Sequence, residues 1–365
     1  MQERPEWIVV RVRPDRRRGL AHREFLLKER TSAVVLPVCI LSLGDQSAYR
    51  VEYRLVSGLE DFPMNRQHPF PSRRRLLQAA AGAGLISSSL RGRSLRAEDT
   101  VARKGRIKQS LVHWCFAPHF DVPGLIRVAK QLGCLSIELI EPRHFPLLKE
   151  NGLICAIGSI DMAPDPPFAK GFNNPKYRDR VVPATINAID ACAEFGFPNV
   201  ICFTGMSEGI PDDLGARNCV EGLKQVVGHA EKKKVTLCLE MLNSRVSDHP
   251  MKGHPGYQGD HTEYCIDIIK SVGSTHLKLL FDIYHVQIMD GDVIRRIREH
   301  KDVIGHVHTA GNPGRGELDE NQEIYYPAIM RALVEVGYTG HVGQEFIPTR
   351  DPLAGLQQAV ALCDV

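Results

Sequence analysis

Val235-Thr-Leu-Cys-Leu-Glu240 is a short apolar run that ends in a carboxylate, and three later stretches repeat its form. Leu277-Lys-Leu-Leu-Phe-Asp282 ends on Asp282, Ile304-Gly-His-Val-His308 on His308, and His341-Val-Gly-Gln-Glu345 on Glu345. A helix-like segment separates each from the next. Apolar runs of this length read as parallel strands buried on both faces. Sheets and barrels of that kind place their chemistry at the C-terminal ends of the strands, where these four polar residues fall. Two Glu, one Asp and one His are a donor set suited to a divalent ion such as Mn²⁺ or Mg²⁺.

The alternation extends back to about residue 107. Strands are expected over 107–116, 136–140, 154–160, 199–204, 235–242, 277–284, 303–309 and 341–347, with helices between them and one after the last. Gly133, Gly152 and Gly196 follow expected helices, as C-terminal stops do. About eight strand–helix repeats over roughly 250 residues are the order and size of a (β/α)₈ TIM barrel. A doubly wound open sheet is the alternative; the barrel is preferred because polar ends of four consecutive strands converge around a closed mouth. The long loops after the third, fifth and seventh strands then fall on that mouth, where substrate contacts belong.

Strand parity agrees with this placement. Counting back by two puts Cys238 and Thr236 on the face of Glu240, and His306 and Ile304 on the face of His308. The opposite face carries Leu237, Leu239, Leu279, Phe281, Val303 and Val307, suited to lie under helices. One carboxylate at a strand end reads best as a helix N-cap or an ion pair. Four polar ends on consecutive strands read as a metal site. Glu138, near the end of the second strand, reads equally as a mouth residue or as part of a structural ion pair.

Composition is that of a globular chain: 365 residues, 43% hydrophobic and 24% charged. The net charge of +3 hides a split. Residues 1–97 hold 18 Lys and Arg against 9 Asp and Glu; residues 98–365 hold 28 against 34. An acidic body argues against a nucleic-acid-binding role, including that of an abasic-site nuclease. The ten cysteines form no C-x-x-C pair, and Cys155, Cys202 and Cys238 sit within apolar runs, so they read as reduced and buried.

Residues 1–63 are expected to be an upstream extension with little structure. Its apolar stretch over 33–41 is too short to span a bilayer. Residues 64–97 contain Ser72-Arg-Arg-Arg-Leu-Leu77 before an Ala/Gly/Leu run, the form of a twin-arginine export signal. A basic patch leading into an Ala-rich helix is the alternative. The signal reading makes Met64 the expected initiator and 98–365 the catalytic domain, with cleavage near Ala97 or an uncleaved anchor. The expected location is periplasmic or exported, and cytoplasmic if the signal does not function.

Four motifs together resemble the hydroxypyruvate isomerases, within the xylose-isomerase-like barrels that also include the ketose 3-epimerases. They are Leu239-Glu-Met-Leu-Asn243, Phe281-Asp-Ile-Tyr-His-Val-Gln287, His306-Val-His-Thr-Ala-Gly-Asn-Pro-Gly-Arg315 and Gly343-Gln-Glu-Phe-Ile347. The resemblance covers about 107–360 and is strongest from 235 onward. It implies Glu240, Asp282, His308 and Glu345 as metal ligands, with Glu240 and Glu345 also the acid–base pair. It implies His285 and Arg315 as substrate contacts. Hydroxypyruvate isomerases tend to carry Gln where this chain has His308, whereas ketose epimerases carry His, so the departure bears on substrate more than on metal. The activity implied is isomerisation of hydroxypyruvate to tartronate semialdehyde through an enediolate. A ketose epimerase and an inositol-derived sugar isomerase or dehydratase are alternatives. A non-catalytic sugar-binding barrel is disfavoured by the intact Glu240 and Glu345. The expected partner is a small molecule rather than a nucleic acid, and self-association into a homo-oligomer is allowed for.

Overall fold

The computed structural model describes residues 104–365, together with the backbone of three strands nearer the N-terminus. It divides into two units, Met1–Ser94 and Leu95–Val365. In the first, β1 (Trp7–Arg13) pairs antiparallel with β2 (Arg23–Lys28) on one side and β3 (Arg50–Val56) on the other. These strands lie in the stretch expected to hold little structure. The twin-arginine-like segment, 64–97, lies outside the described residues.

The second unit is built on parallel strands: β4 (Lys108–Val112), β5 (Ser136–Glu138), β6 (Asn199–Phe203), β7 (Thr236–Glu240), β8 (Leu277–Asp282), β9 (Ile304–Thr309) and β10 (His341–Gln344). Their order is β5-β4-β10-β9-β8-β7-β6. Residues 154–158 join the two edges, because Ile154 bridges Ser136 of β5 and Gly158 bridges Val200 of β6. The Gly158 N–H donates to the Asn199 carbonyl at 2.9 Å, and the Ile201 N–H to the Gly158 carbonyl at 3.0 Å. The ring therefore closes as a (β/α)₈ barrel, which removes the open-sheet alternative. The third strand, expected over 154–160, survives only as this pair of bridges.

Nine of the intervening helices matter here: α1 (His113–Phe116), α2 (Val122–Gln131), α3 (Phe145–Glu150), α4 (Arg178–Phe195), α5 (Asp212–Lys233), α6 (Thr262–Val272), α7 (Ile283–Met289), α8 (Val293–Glu299) and α9 (Tyr326–Glu335); α10 (Pro352–Cys363) ends the chain. Helix α5 shows why its sequence is helical. Asp212 and Asp213 open it and Lys232 and Lys233 close it, complementing the helix dipole.

Two boundaries and one register differ from expectation. The first strand stops at Val112 and turns into α1, so Trp114 sits on a helical turn. The sixth stops at Asp282, because the Asp282 carboxylate caps α7 by accepting from the Tyr284 and His285 N–H groups at 2.8 and 3.4 Å. Between β8 and β9 the register shifts, pairing Leu279 with Ile304 and Leu280 with His306. This bulge puts Ile304 on the outer face with Leu279, not inward with His306 as expected.

The layer between strands and helices is apolar: Leu237, Leu239, Leu279 and Phe281 are fully buried. Each such side chain contributes about 1.5–3 kcal/mol relative to exposure. All nine cysteines among the described residues are buried and outside any disulfide, as expected. No helix among the described residues is long and apolar enough to cross a membrane.

Candidate metal centre and active site

The C-terminal ends of β7, β8, β9 and β10 bring Glu240, Asp282, His308 and Glu345 together. One donor atom from each lies within 4.8 Å of all the others, and all four residues are buried. Asp282 satisfies both readings of a strand-end carboxylate: Oδ1 caps α7, while Oδ2 faces the cluster, 3.5 Å from the Arg315 guanidinium. His308 Nδ1 lies 2.9 Å from a Glu345 oxygen and 3.8 Å from a Glu240 oxygen.

An imidazole nitrogen beside two carboxylates needs a cation between them, either a proton or a metal ion. Glu240 Oε1 and His308 Nδ1 are buried without a hydrogen-bond partner, and so is His285 Nε2 at the same centre. Buried polar atoms are normally satisfied. Three carboxylates and one imidazole fit a divalent ion of the Mn²⁺ or Mg²⁺ type.

Glu345 is held from both sides. Trp114 Nε1 donates to one oxygen at 3.0 Å and Arg315 Nη2 to the other at 2.7 Å. Arg315 also donates through Nη1 to the Met251 carbonyl at 2.7 Å. Its guanidinium lies 5.3 Å from the Trp114 ring centre and 5.6 Å from that of Tyr284, so two aromatic faces fix it. Burial alone drives carboxyl pKa values up. For Glu345 the His308 and Arg315 charges outweigh burial and hold the carboxyl well below its ordinary range. Glu240 goes the other way: burial and the charge of Glu345 raise it, against His308. The two expected acid–base groups are thus pushed apart.

His285 is set by its neighbours. Its Nδ1 faces the Asn243 N–H at 3.0 Å, and a backbone N–H can only donate, so Nδ1 carries the lone pair and Nε2 the hydrogen. Burial, reinforced by Arg315, keeps the ring neutral. His285 therefore presents an N–H into the site, 3.6 Å from Asp282. The structure brings every expected site residue to one place.

A cavity of about 340 Å³ opens above this cluster, with Glu240, Glu345 and Arg315 at its base and Trp114, Phe168 and His254 on its walls. Phe168 packs against His254 with ring centres 4.1 Å apart and planes tilted by 50°, so the loops after the third and fifth strands meet over the site. Arg180 pins the first loop through Asp165 at 2.7 Å and the Met162 carbonyl at 2.8 Å. Trp114, Phe168 and Asn243 were not singled out by sequence reasoning. Asn243 entered only as the last residue of the Leu239–Asn243 motif, the length of the loop after the third strand hinted at Phe168, and no sequence signal pointed to Trp114.

Glu138 is no mouth residue. It is fully buried, and its Oε1 accepts from His306 Nε2 and His308 Nε2, each at 2.9 Å. Of the two readings left open for it, the ion pair holds. Gly343 makes the room: a Cβ there would lie 2.0 Å from Glu138 Oε1 and 2.9 Å from the His308 ring. Glu138 is pinned by two hydrogen bonds and cannot give way. Gly343→Ala is therefore expected to destabilise the fold by about 1–3 kcal/mol, read from denaturant unfolding.

Protons would compete with any metal ion bound at this centre. Burial raises the Asp282 carboxyl, against Arg315, to about 7. Burial lowers the His308 imidazole, but Glu345, Glu138 and Glu240 outweigh it and raise it well above its ordinary value. A ligating Asp282 must lose its proton, and so must His308 Nδ1. Mn²⁺ affinity is therefore expected to rise with pH through about 7, by about tenfold per pH unit for each proton displaced. Calorimetry at pH 6 and pH 8 in buffers of different ionisation enthalpy checks both the slope and the protons released.

Residues 126–364 match the xylose isomerase-like TIM barrel family. The chain belongs to that family. Over 151 residues this family member is 34% identical to 2-oxo-tetronate isomerase of Cupriavidus necator, covering 40% of this chain and 55% of that protein. Over 183 residues it is 29% identical to hydroxypyruvate isomerase of Escherichia coli, covering 50% and 66%. The chain spans about half the length of several curated relatives that it matches. Among solved structures, a family 2 AP endonuclease from Brucella melitensis superposes with a TM-score of 0.61 at 23% identity, covering 68% of this chain and 97% of that one. A likeness at that identity speaks for the fold alone.

Proposed function

We propose that this xylose isomerase-like barrel is a metal-dependent isomerase of α-hydroxy carbonyl compounds, most similar in action to hydroxypyruvate isomerase. The observation that carries the reading is that Glu240 and Glu345 share one buried cluster of ligand-type side chains and both line the cavity; their carboxyl pKa values are also displaced in opposite directions. Such a division is how one site holds an acid and a base at one pH. Names borne by the relatives support the same reaction class.

Glu240, Asp282, His308 and Glu345 would hold a divalent ion, which when bound would supply Lewis-acid stabilisation of charge developing on the substrate oxygens. Glu345, kept ionised, takes the proton from the hydroxyl-bearing carbon of the substrate. Glu240, whose carboxyl holds its proton more tightly, returns one to the neighbouring carbon. With the hydroxyl proton passing to the former carbonyl oxygen as well, hydroxypyruvate becomes tartronate semialdehyde with no net gain or loss of atoms. His285 donates its Nε2 hydrogen to a substrate oxygen. Arg315 opposes negative charge at the cavity base.

A neutral ketose is the second reading, and one observation favours it. Both terminal nitrogens of Arg315 are already engaged, by Met251, Glu345 and Asp282, which leaves little of the guanidinium to grip a substrate carboxylate. A ketose 3-epimerase or an inositol-derived sugar isomerase would suit that arrangement. Incubating the Mn²⁺-loaded full chain in D₂O with hydroxypyruvate and a panel of ketoses, and following deuterium at carbon by NMR, decides between them. Exchange confined to one class names the substrate; no exchange with metal bound sinks the isomerase reading.

For location, we propose export by the segment over 64–97, on the strength of its paired arginines. Arg73→Lys with Arg74→Lys is expected to leave the protein in the cytoplasmic fraction, and unchanged export would refute the signal.

A further inference from the structure

Glu138 lies beneath the metal-binding residues and is absent from the cavity walls. One of its oxygens receives both His306 Nε2 and His308 Nε2. A carboxylate oxygen can only accept, so both Nε2 atoms carry hydrogens. In His308 that leaves Nδ1 as the nitrogen turned toward Glu240 and Glu345. A ring without this anchor could rotate and offer either nitrogen.

We propose that Glu138 is a positioning residue that fixes the rotamer and the Nε2–H tautomer of His308, so that Nδ1 is always the ligating atom. The inference rests on the metal-dependent reading above. Two further observations support it. The His306 and His308 rings stand at 89° to one another with centres 4.9 Å apart, which lets both ring edges reach one oxygen. Gly343 on β10 keeps clear the space that this oxygen occupies, since any Cβ there would overlap it. Carboxylates that orient a ligating histidine through its other nitrogen typically matter 10–100-fold in metal affinity or activity.

The competing explanation is a second ion held by Glu138, His306 and His308, whose donor atoms also lie within 4.8 Å of one another. Glu138 Oε2 and His306 Nδ1 are buried without partners, so such an ion would have atoms to use. The number of ions per chain separates the two.

The test uses the full chain, with Mn²⁺ affinity and stoichiometry from calorimetry and ring ¹⁵N spectra of histidine-labelled, Mg²⁺-loaded protein. Wild type is expected to bind one ion and to show His308 with hydrogen on Nε2 alone. Glu138→Ala is expected to weaken Mn²⁺ binding by about 10–100-fold and to give His308 mixed tautomers. Glu138→Gln keeps an acceptor oxygen and the side-chain shape, so it is expected to stay within about tenfold of wild type and retain the Nε2–H form. Unchanged affinity in a folded Glu138→Ala variant would overturn the proposal. So would two ions in wild type, or full affinity in Glu138→Gln with the other tautomer. A wild-type chain that binds no ion sinks the metal reading itself, a result distinct from an indifferent Glu138.

Discussion

Glu240→Gln is expected to cut the rate of deuterium delivery to the neighbouring carbon, the one Glu240 protonates, by about 10²–10⁴-fold at saturating metal, the usual contribution of a positioned acid or base. The substitution keeps size and shape and removes only the titrating oxygen. The strand end should hold, because the Tyr257 hydroxyl donates to the Glu240 backbone carbonyl at 3.0 Å and that bond is independent of the carboxyl. Circular dichroism is therefore expected to match wild type. Metal affinity falls too, since Glu240 is also in the ligand set, so exchange must be compared with metal saturating in both proteins. The parallel change Glu345→Gln is a poorer probe. It would weaken the contacts of Trp114 and Arg315, and a buried guanidinium left with a weaker partner costs stability as well as rate. Deuterium delivery to the neighbouring carbon within tenfold of wild type in a metal-loaded Glu240→Gln chain would show that this carboxyl moves no proton in the reaction.

The part of the site that was legible in the sequence is the part written at strand ends. Glu240, Asp282, His308 and Glu345 each follow an apolar run, and the geometry of a parallel barrel carries such ends to one mouth. What escaped depends on contacts between residues far apart in the chain. Glu138 meets His306 and His308 across separations of 168 and 170 residues, so nothing local distinguishes it from any other buried acid. Gly343 reads as an ordinary strand glycine until the Glu138 oxygen is found where its side chain would be. The misplaced end of β8 has a different cause. Ile283 and Tyr284 are good strand formers, and the local apolar pattern masked the helix-capping signal of Asp282. Ile304 was assigned to the wrong face because a strict two-residue period cannot foresee a bulge.

That same capping role makes Asp282 the place where metal binding and stability can be separated. Asp282→Asn keeps a side-chain oxygen for the Tyr284 and His285 N–H groups, and Asn caps about as well as Asp. Asp282→Ala loses the cap, at about 0.5–2 kcal/mol, as well as the ligand. The pH dependence adds a sign. Burial places the Asp282 carboxyl at about 7 in the metal-free fold, above its unfolded value of about 3.9, so the fold prefers the protonated form. The stability tied to that proton is complete below about pH 4 and is lost as pH rises through about 7. Asn carries no charge at any pH, so metal-free Asp282→Asn is expected to be at least as stable as wild type at pH 8, while Asp282→Ala forfeits its cap. Adding Mn²⁺ should reverse the order. At a hundred times its dissociation constant the ion stabilises wild type by about 2.7 kcal/mol, and both variants should miss most of that gain. Thermal unfolding of the three proteins with and without Mn²⁺ at pH 8 reads every term. If Asp282→Asn gains as much from Mn²⁺ as wild type does, Asp282 is only a helix cap, and the ion has to be held by Glu240, His308 and Glu345 without it.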